Sequence, residues 1–134
     1  MQEPLLHSVF IVDDDEDDRE SIRDAFKENR HPFEYVFMHS GDQLMGHFAS
    51  GEKKEHPSLI LLDLNMPGMN GKDVLKQMKK NESLKPIPVI VITTSSSPKE
   101  KAASYELGAN CFITKPDSYN ELVAVTNAIA KLWL

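Results

Sequence analysis

The chain holds one cysteine, Cys111, in 134 residues, so no disulfide can close within it and a reducing compartment is expected. It has no apolar stretch near the length of a membrane span. Its opening MQEPLLHSVF lacks the charged-then-apolar plan of a signal peptide. Cytoplasm is therefore the expected location, with no membrane partner. Lysine and arginine form no block, which argues against a nucleic-acid footprint. His7, His31, His39, His47 and His56 lie scattered without metal-ligand spacing, and surface or packing roles are expected. No glycine-rich loop cradles a phosphate; Gly68 and Gly71 suit a turn. Repeats and low-complexity segments are absent, and the nearest thing to a linker is the short Ser50–Pro57 (SGEKKEHP). One domain with one core follows.

Acid is concentrated at one place. The chain carries 21 acidic and 15 basic residues, and six of the acids are consecutive, Asp13 to Asp18. Without them the two signs balance. Taken alone, such a run is a solvated helix start, because the helix dipole favours acids there.

Five short apolar runs punctuate the chain: Ser8–Val12, Phe33–Met38, Leu59–Leu62, Val89–Ile92 and Cys111–Ile113. Four are continuously apolar, as strands buried on both faces require. Phe33–Met38 contains Glu34 and fits nearer an edge. Four helical stripes lie between and after these runs: Ile22, Ala25 and Phe26; Leu44, Met45 and Phe48; Val74, Leu75 and Met78; and Leu122, Val125, Ile129 and Leu132. Ser40/Gln43, Ser97/Glu100 and Ser118/Glu121 have capping-box spacing. Pro98 suits a first helical position, and Gly108 a left-handed stop. The pattern predicts (βα)5, an α/β fold with a parallel sheet and right-handed crossovers. Ligands of such sheets bind beyond the carboxyl ends of the strands.

Those ends carry Asp13 and Asp14, then Asp63, then Thr93, then Lys115-Pro116. Three carboxylates in one pocket repel one another. A hard divalent cation relieves the repulsion, and oxygen ligands with open positions suit Mg²⁺. A lysine and a hydroxyl suit phosphate oxygens. The chemistry implied is phosphoryl transfer, with one carboxylate as nucleophile forming an acyl phosphate.

VDDD at Val12–Asp15, LLDLNMPGMNG at Leu61–Gly71, VIVITT at Val89–Thr94 and FITKP at Phe112–Pro116 together resemble the receiver domain of two-component response regulators. The resemblance covers nearly the whole chain, and the spacings resemble those of compact chemotaxis-type receivers. It implies a flavodoxin-like five-stranded sheet of order 2-1-3-4-5. It also makes Asp63 the phosphoacceptor, Asp14 the direct Mg²⁺ ligand, and Asp13 the acidic neighbour that holds the metal directly or through water. Asn65 is implied to complete the metal site with its backbone carbonyl. Thr93 is implied as the switch hydroxyl, Lys115 as its partner at the phosphoryl group, and Phe112 as the aromatic that changes rotamer. The Lys115–Pro116 peptide is implied to be cis. Pro67 and Gly68 shape the loop after the third strand.

Some positions depart from the family pattern. Thr94 stands where a smaller residue is common, which restricts access to the phosphoryl group. Asn65 and Ser95 occupy positions that tune dephosphorylation. Asp117 follows Lys-Pro where an apolar residue is frequent. The longer stretch through Ser50–Pro57, together with NCFITKP, resembles stand-alone receivers associated with phytochrome-type sensor kinases.

The convergence assigns Asp13 and Asp14 to chemistry and leaves Asp15 at the rim. Glu16, Asp17 and Asp18 are expected to start a helix and stay solvated. Cys111 reads as a buried apolar residue, and Phe112 as core. The leading expectation is a switch, not an enzyme, that catalyses only its own phosphoryl transfer and dephosphorylation. A sensor histidine kinase or phosphotransfer protein would phosphorylate Asp63, and the fourth helix, fifth strand and fifth helix would repack toward a downstream protein target. Only 19 residues follow Lys115, so a single receiver over residues 1–134 without an output domain is expected. Leu132-Trp133-Leu134 suggests a homodimer, or else finishes the core. Two other readings stand beside this one. A degenerate receiver would act as a constitutive interaction module. A phosphatase or transferase would use an aspartyl phosphate, although Leu64-Asn65-Met66 after the nucleophile does not supply its second aspartate.

Overall fold

The computed structural model describes residues 7–30, 32–50 and 56–134. Residues 51–55 of the Ser50–Pro57 stretch, and His31, lie outside them. The elements are β1 (Ser8–Val12), α1 (Glu16–Glu28), β2 (Glu34–Met38), α2 (Gly41–Ala49), β3 (Leu59–Leu62), α3 (Gly71–Lys80), β4 (Val89–Thr93), α4 (Pro98–Glu106), β5 (Cys111–Thr114) and α5 (Tyr119–Trp133). All strand pairs are parallel, and the sheet order is β2-β1-β3-β4-β5. This is the doubly wound, flavodoxin-like α/β fold that the alternation predicts.

The period of two along each strand divides the core in two. Phe10, Val12, Ile60, Leu62, Val89 and Val91 face Leu44 of α2 and Val74, Leu75 and Met78 of α3. Val9, Ile11, Leu59, Leu61, Ile90 and Ile92 face Ile22, Ala25 and Phe26 of α1 and Leu122, Ile129 and Ala130 of α5. Each central strand is therefore apolar throughout because both faces are covered. β2 lies at one edge, as Glu34 predicts. β5 lies at the other edge, and only Phe112 of its residues is buried. Cys111 is half-buried rather than buried, because an edge strand lacks a neighbour on one side.

Helix starts follow local chemistry. Ser40, Ser97 and Ser118 each accept a hydrogen bond from the N–H three residues on. The complete reciprocal box forms at α3, between Asn70 and Asp73, where the sequence reading did not look for one. Gly108, at φ +108°, turns the chain out of α4 in the left-handed region. α4 buries only Ser104 within its length, so little apolar surface fixes it to the sheet.

Register carries four strand ends to one edge. Val12 pairs with Leu62, and Thr93 pairs with Thr114. The next residues of the chain, Asp13, Asp63 and Lys115, therefore emerge side by side.

Candidate functional site

Backbone bonds fix the two acidic strand ends. The N–H of Asp13 donates to Met38 at 3.0 Å, and that of Asp63 to Val12 at 3.0 Å. Both side chains sink into the edge of the sheet: Asp13 is 2% exposed and Asp63 5%. Asp14 is exposed and faces the same opening. One oxygen from each of Asp13, Asp14 and Asp63 lies within 4.8 Å of the others, the arrangement the sequence predicts.

Lys115 enters from the far side. Its N–H donates to the Thr93 carbonyl at 2.6 Å, which ties the end of β5 to β4. Its Nζ donates to Asp13 Oδ2 at 2.7 Å and stands 3.7 Å from Asp63 Oδ2. Thr93 is fully buried. Its hydroxyl oxygen accepts from Asn65 Nδ2 at 3.4 Å and from the Ser95 N–H at 3.5 Å. These are long bonds in which the oxygen only accepts, so the hydroxyl proton is left to donate to an incoming acceptor. The Asn65 N–H donates to Asp63 Oδ1 at 3.3 Å. Phe112 does not line the pocket. It packs into the core against α3, and its N–H donates to the exposed Tyr105 hydroxyl of α4 at 3.0 Å.

Four features differ from what the sequence predicts. Asp15 is the N-cap of α1 and accepts from the Asp18 N–H. Asp18, though still partly exposed, is paired: its Oδ2 accepts from Lys115 Nζ at 2.7 Å. The signal was present, since Asp18 stands one turn before Ile22 and extends the buried Ile22–Phe26 stripe. Arg19, also unforeseen, donates from Nη1 to the Asp13 carbonyl at 2.7 Å. The fourth difference corrects an expectation. Lys115–Pro116 is trans, and no described peptide is cis. Trans is the intrinsic preference of an X–Pro bond, and only the family resemblance, no residue of this chain, argued for cis.

The start of α3 packs closely against the backbone that follows β3. A Cβ on Gly71 would lie 2.6 Å from the Asp63 carbonyl oxygen and 2.8 Å from Leu64 Cα, both backbone atoms. Gly71→Ala is expected to destabilise the fold by about 2 kcal/mol, because the helix must back away from β3. Urea titration checks this, and a wild-type midpoint would show that the backbone yields freely.

A model of the response regulator receiver domain matches residues 9–127 of the chain. The chain belongs to this family. It is similar to response regulator Rcp1 of Synechocystis, 34% identical over 129 residues that cover 94% of the chain and 88% of Rcp1. The sensory transduction protein RegX3 of Mycolicibacterium smegmatis is 35% identical over 94% of the chain, which spans 51% of that longer protein. Among solved structures, the phosphorylated cyanobacterial phytochrome response regulator RcpA superposes with a TM-score of 0.88 at 32% identity, covering 96% of the chain and 94% of RcpA. The Mn²⁺-bound form of Rcp1 superposes with a TM-score of 0.85 at 33% identity, covering 96% and 94%.

The receiver's acidic pocket fits a hard divalent cation. Its donors are all oxygens, and they converge from two strand ends. Burial pushes the Asp13 carboxyl up from 3.8 to about 6. The hydrogen bonds from Lys115 and from the Asp15 N–H, and the Lys115 charge, pull it down, while the Asp63 charge raises it. One lysine therefore does not offset the cost of burying this carboxylate, and a second cation would help to.

This has a consequence for stability. The folded pKa of Asp13 lies above the unfolded one, so the folded state holds the extra proton between about pH 4 and 6. Stability from this residue is lost as pH rises through 6. In chelator, the receiver is expected to be about 1 kcal/mol more stable at pH 5 than at pH 7.5 on account of Asp13. Urea titrations of wild type and Asp13→Asn isolate the contribution. Equal pH slopes in the two would remove it.

Proposed function

We propose that this receiver is a phosphorylation switch whose phosphoacceptor is Asp63. The observation that carries the reading is the buried Asp63 carboxylate, grouped with Asp13 and Asp14 and 3.7 Å from the Lys115 ammonium. An Asp63 oxygen attacks the phosphorus of a phosphohistidine on a sensor histidine kinase or phosphotransfer protein. The new O–P bond forms as the N–P bond breaks, and the imidazole nitrogen keeps the electron pair and takes a proton. Water later attacks the acyl phosphate, returning the Asp63 carboxylate and inorganic phosphate. Asp13, Asp14, Asp63 and the Asn65 carbonyl would hold Mg²⁺, which would supply positive charge to offset the phosphoryl oxygens. On this reading the chain is a switch that catalyses only its own phosphoryl transfer and dephosphorylation.

Thr93 and Lys115 answer the new group. The Thr93 hydroxyl donates its proton to a phosphoryl oxygen. Lys115 pairs with the added charge. Phe112 and Tyr105 connect this edge to α4, whose sparse burial suits a movable element. The α4–β5–α5 face then repacks toward a downstream protein. The likeness to Rcp1 and RcpA supports a phytochrome-type kinase as the source of the phosphoryl group and a single receiver unit over residues 1–134 as the working form. We place it in the cytoplasm with protein partners, where the lone Cys111 thiol suits a reducing compartment. Leu132, 78% exposed, and Trp133 support a homodimer through the end of α5, which solution mass with and without phosphorylation tests.

The deciding experiment is incubation with Mg²⁺ and acetyl phosphate, read by intact mass. One added phosphoryl group is expected. No gain would overturn the proposed function.

A further inference from the structure

Lys115 Nζ has three protons to donate. Two go to Asp13 Oδ2 and Asp18 Oδ2, each at 2.7 Å. Asp63 Oδ2, at 3.7 Å, lies beyond hydrogen-bond distance. The ammonium is thus held on the α1 side of the pocket by two acids, only one of which belongs to the acidic cluster at the strand ends. Asp18 sits in the first turn of α1. Its own N–H is bound to the Asp15 side chain at 3.1 Å, so its backbone is fixed. Its side chain is 40% exposed while that of Lys115 is 14% exposed, so water can replace the lysine at Asp18.

We propose that Asp18 is a positioning residue of the switch: it holds Lys115 away from Asp63 and competes with the incoming phosphoryl group for the ammonium. This rests on the reading of Asp63 as phosphoacceptor. A phosphoryl group at Asp63 offers more acceptors and more charge than the carboxylate it replaces. Lys115 must then give up Asp18, or share it, to meet that group. Asp18 consequently opposes the phosphorylated state, and its release frees a side chain on the first turn of α1. Asp17 provides the control, since it is exposed, carries the same charge in the same turn, and makes no contact with Lys115 among those described.

The test is the affinity for beryllofluoride, a non-covalent mimic of the phosphoryl group, in saturating Mg²⁺. Asp18→Asn is expected to bind it about two- to fivefold more tightly than wild type, the scale of a half-exposed ion pair. Asp17→Asn should bind as wild type does, and thermal melts should show both variants folded. Unchanged or weaker binding by Asp18→Asn would overturn the proposal. An equal gain in Asp17→Asn would also overturn it, because the effect would then be diffuse charge relief rather than release of Lys115. If wild type takes up no beryllofluoride, the phosphoacceptor reading itself fails and this inference falls with it.

Discussion

Asp63→Asn is expected to reduce uptake of a phosphoryl group from acetyl phosphate by at least about a thousandfold, because it removes the nucleophile and not a helper. The substitution is close to isosteric in a side chain that is 7% exposed. The amide oxygen can still accept from the Asn65 N–H, which now reaches Asp63 Oδ1 at 3.3 Å. The fold should therefore survive. It should even gain slightly, since one of three clustered carboxylates disappears. The Asp63 charge is one of the influences that raise Asp13, so Asp13 should titrate below about 6 in the variant. Asp13→Asn is the informative companion. It weakens the hold on a divalent cation but leaves the acceptor in place, so slow phosphorylation should persist and rise with Mg²⁺ concentration. Intact mass of the two variants after equal exposure decides the assignment. If Asp63→Asn gains the group as wild type does, the acceptor is another residue.

The strand-end chemistry was legible in the sequence because it depends on chain order alone. A buried parallel strand that stops at Val12 must deliver Asp13 to the sheet edge, and one that stops at Leu62 must deliver Asp63. Burial of the central strands followed from their unbroken apolar character. Side chains that fold back were harder to read. Asp18 looked solvated within a run of six acids, and only the rotation of α1, set by burial of Ile22, Ala25 and Phe26, turns it onto Lys115. Arg19 reaches a backbone carbonyl, a partner that no motif encodes. β5 read as a fully buried strand because CFI is apolar, yet edge position depends on strand order and not on composition. The same holds for α4. Its cap at Ser97 and its stop at Gly108 are local and visible in the sequence, whereas its sparse burial depends on what packs against it.

Lys115→Ala should show how far the pocket depends on its lysine, and the answer should vary with pH. Burial alone would lower the Lys115 ammonium, but hydrogen bonds to Asp13 and Asp18, and the charges of Asp13 and Asp63, outweigh it and hold it above its ordinary range. With the folded value above the unfolded one, its stabilisation is fully present below about pH 10 and does not change between pH 5 and 8. Any pH dependence of the variant's deficit in that window must therefore come from the acids left behind. Asp13, 2% exposed, loses its one charged donor and should titrate well above 6. At pH 8 the variant must either keep a buried unpaired carboxylate or protonate it, at a cost of about 3 kcal/mol. At pH 5 Asp13 is mostly protonated with or without the lysine, and the deficit should shrink to about 1 kcal/mol, the scale of a lost hydrogen bond. Urea titrations at the two pH values in chelator measure this. A deficit that does not change with pH would mean that Lys115 stabilises through the packing of its methylenes rather than its charge. Mg²⁺ supplies the opposing arm. A divalent cation among Asp13, Asp14 and Asp63 replaces the missing positive charge, so the deficit at pH 8 should narrow as Mg²⁺ is added. The lysine and the cation would then be two answers to one problem, the burial of acids at the end of the sheet, and phosphorylation of Asp63 would draw on both.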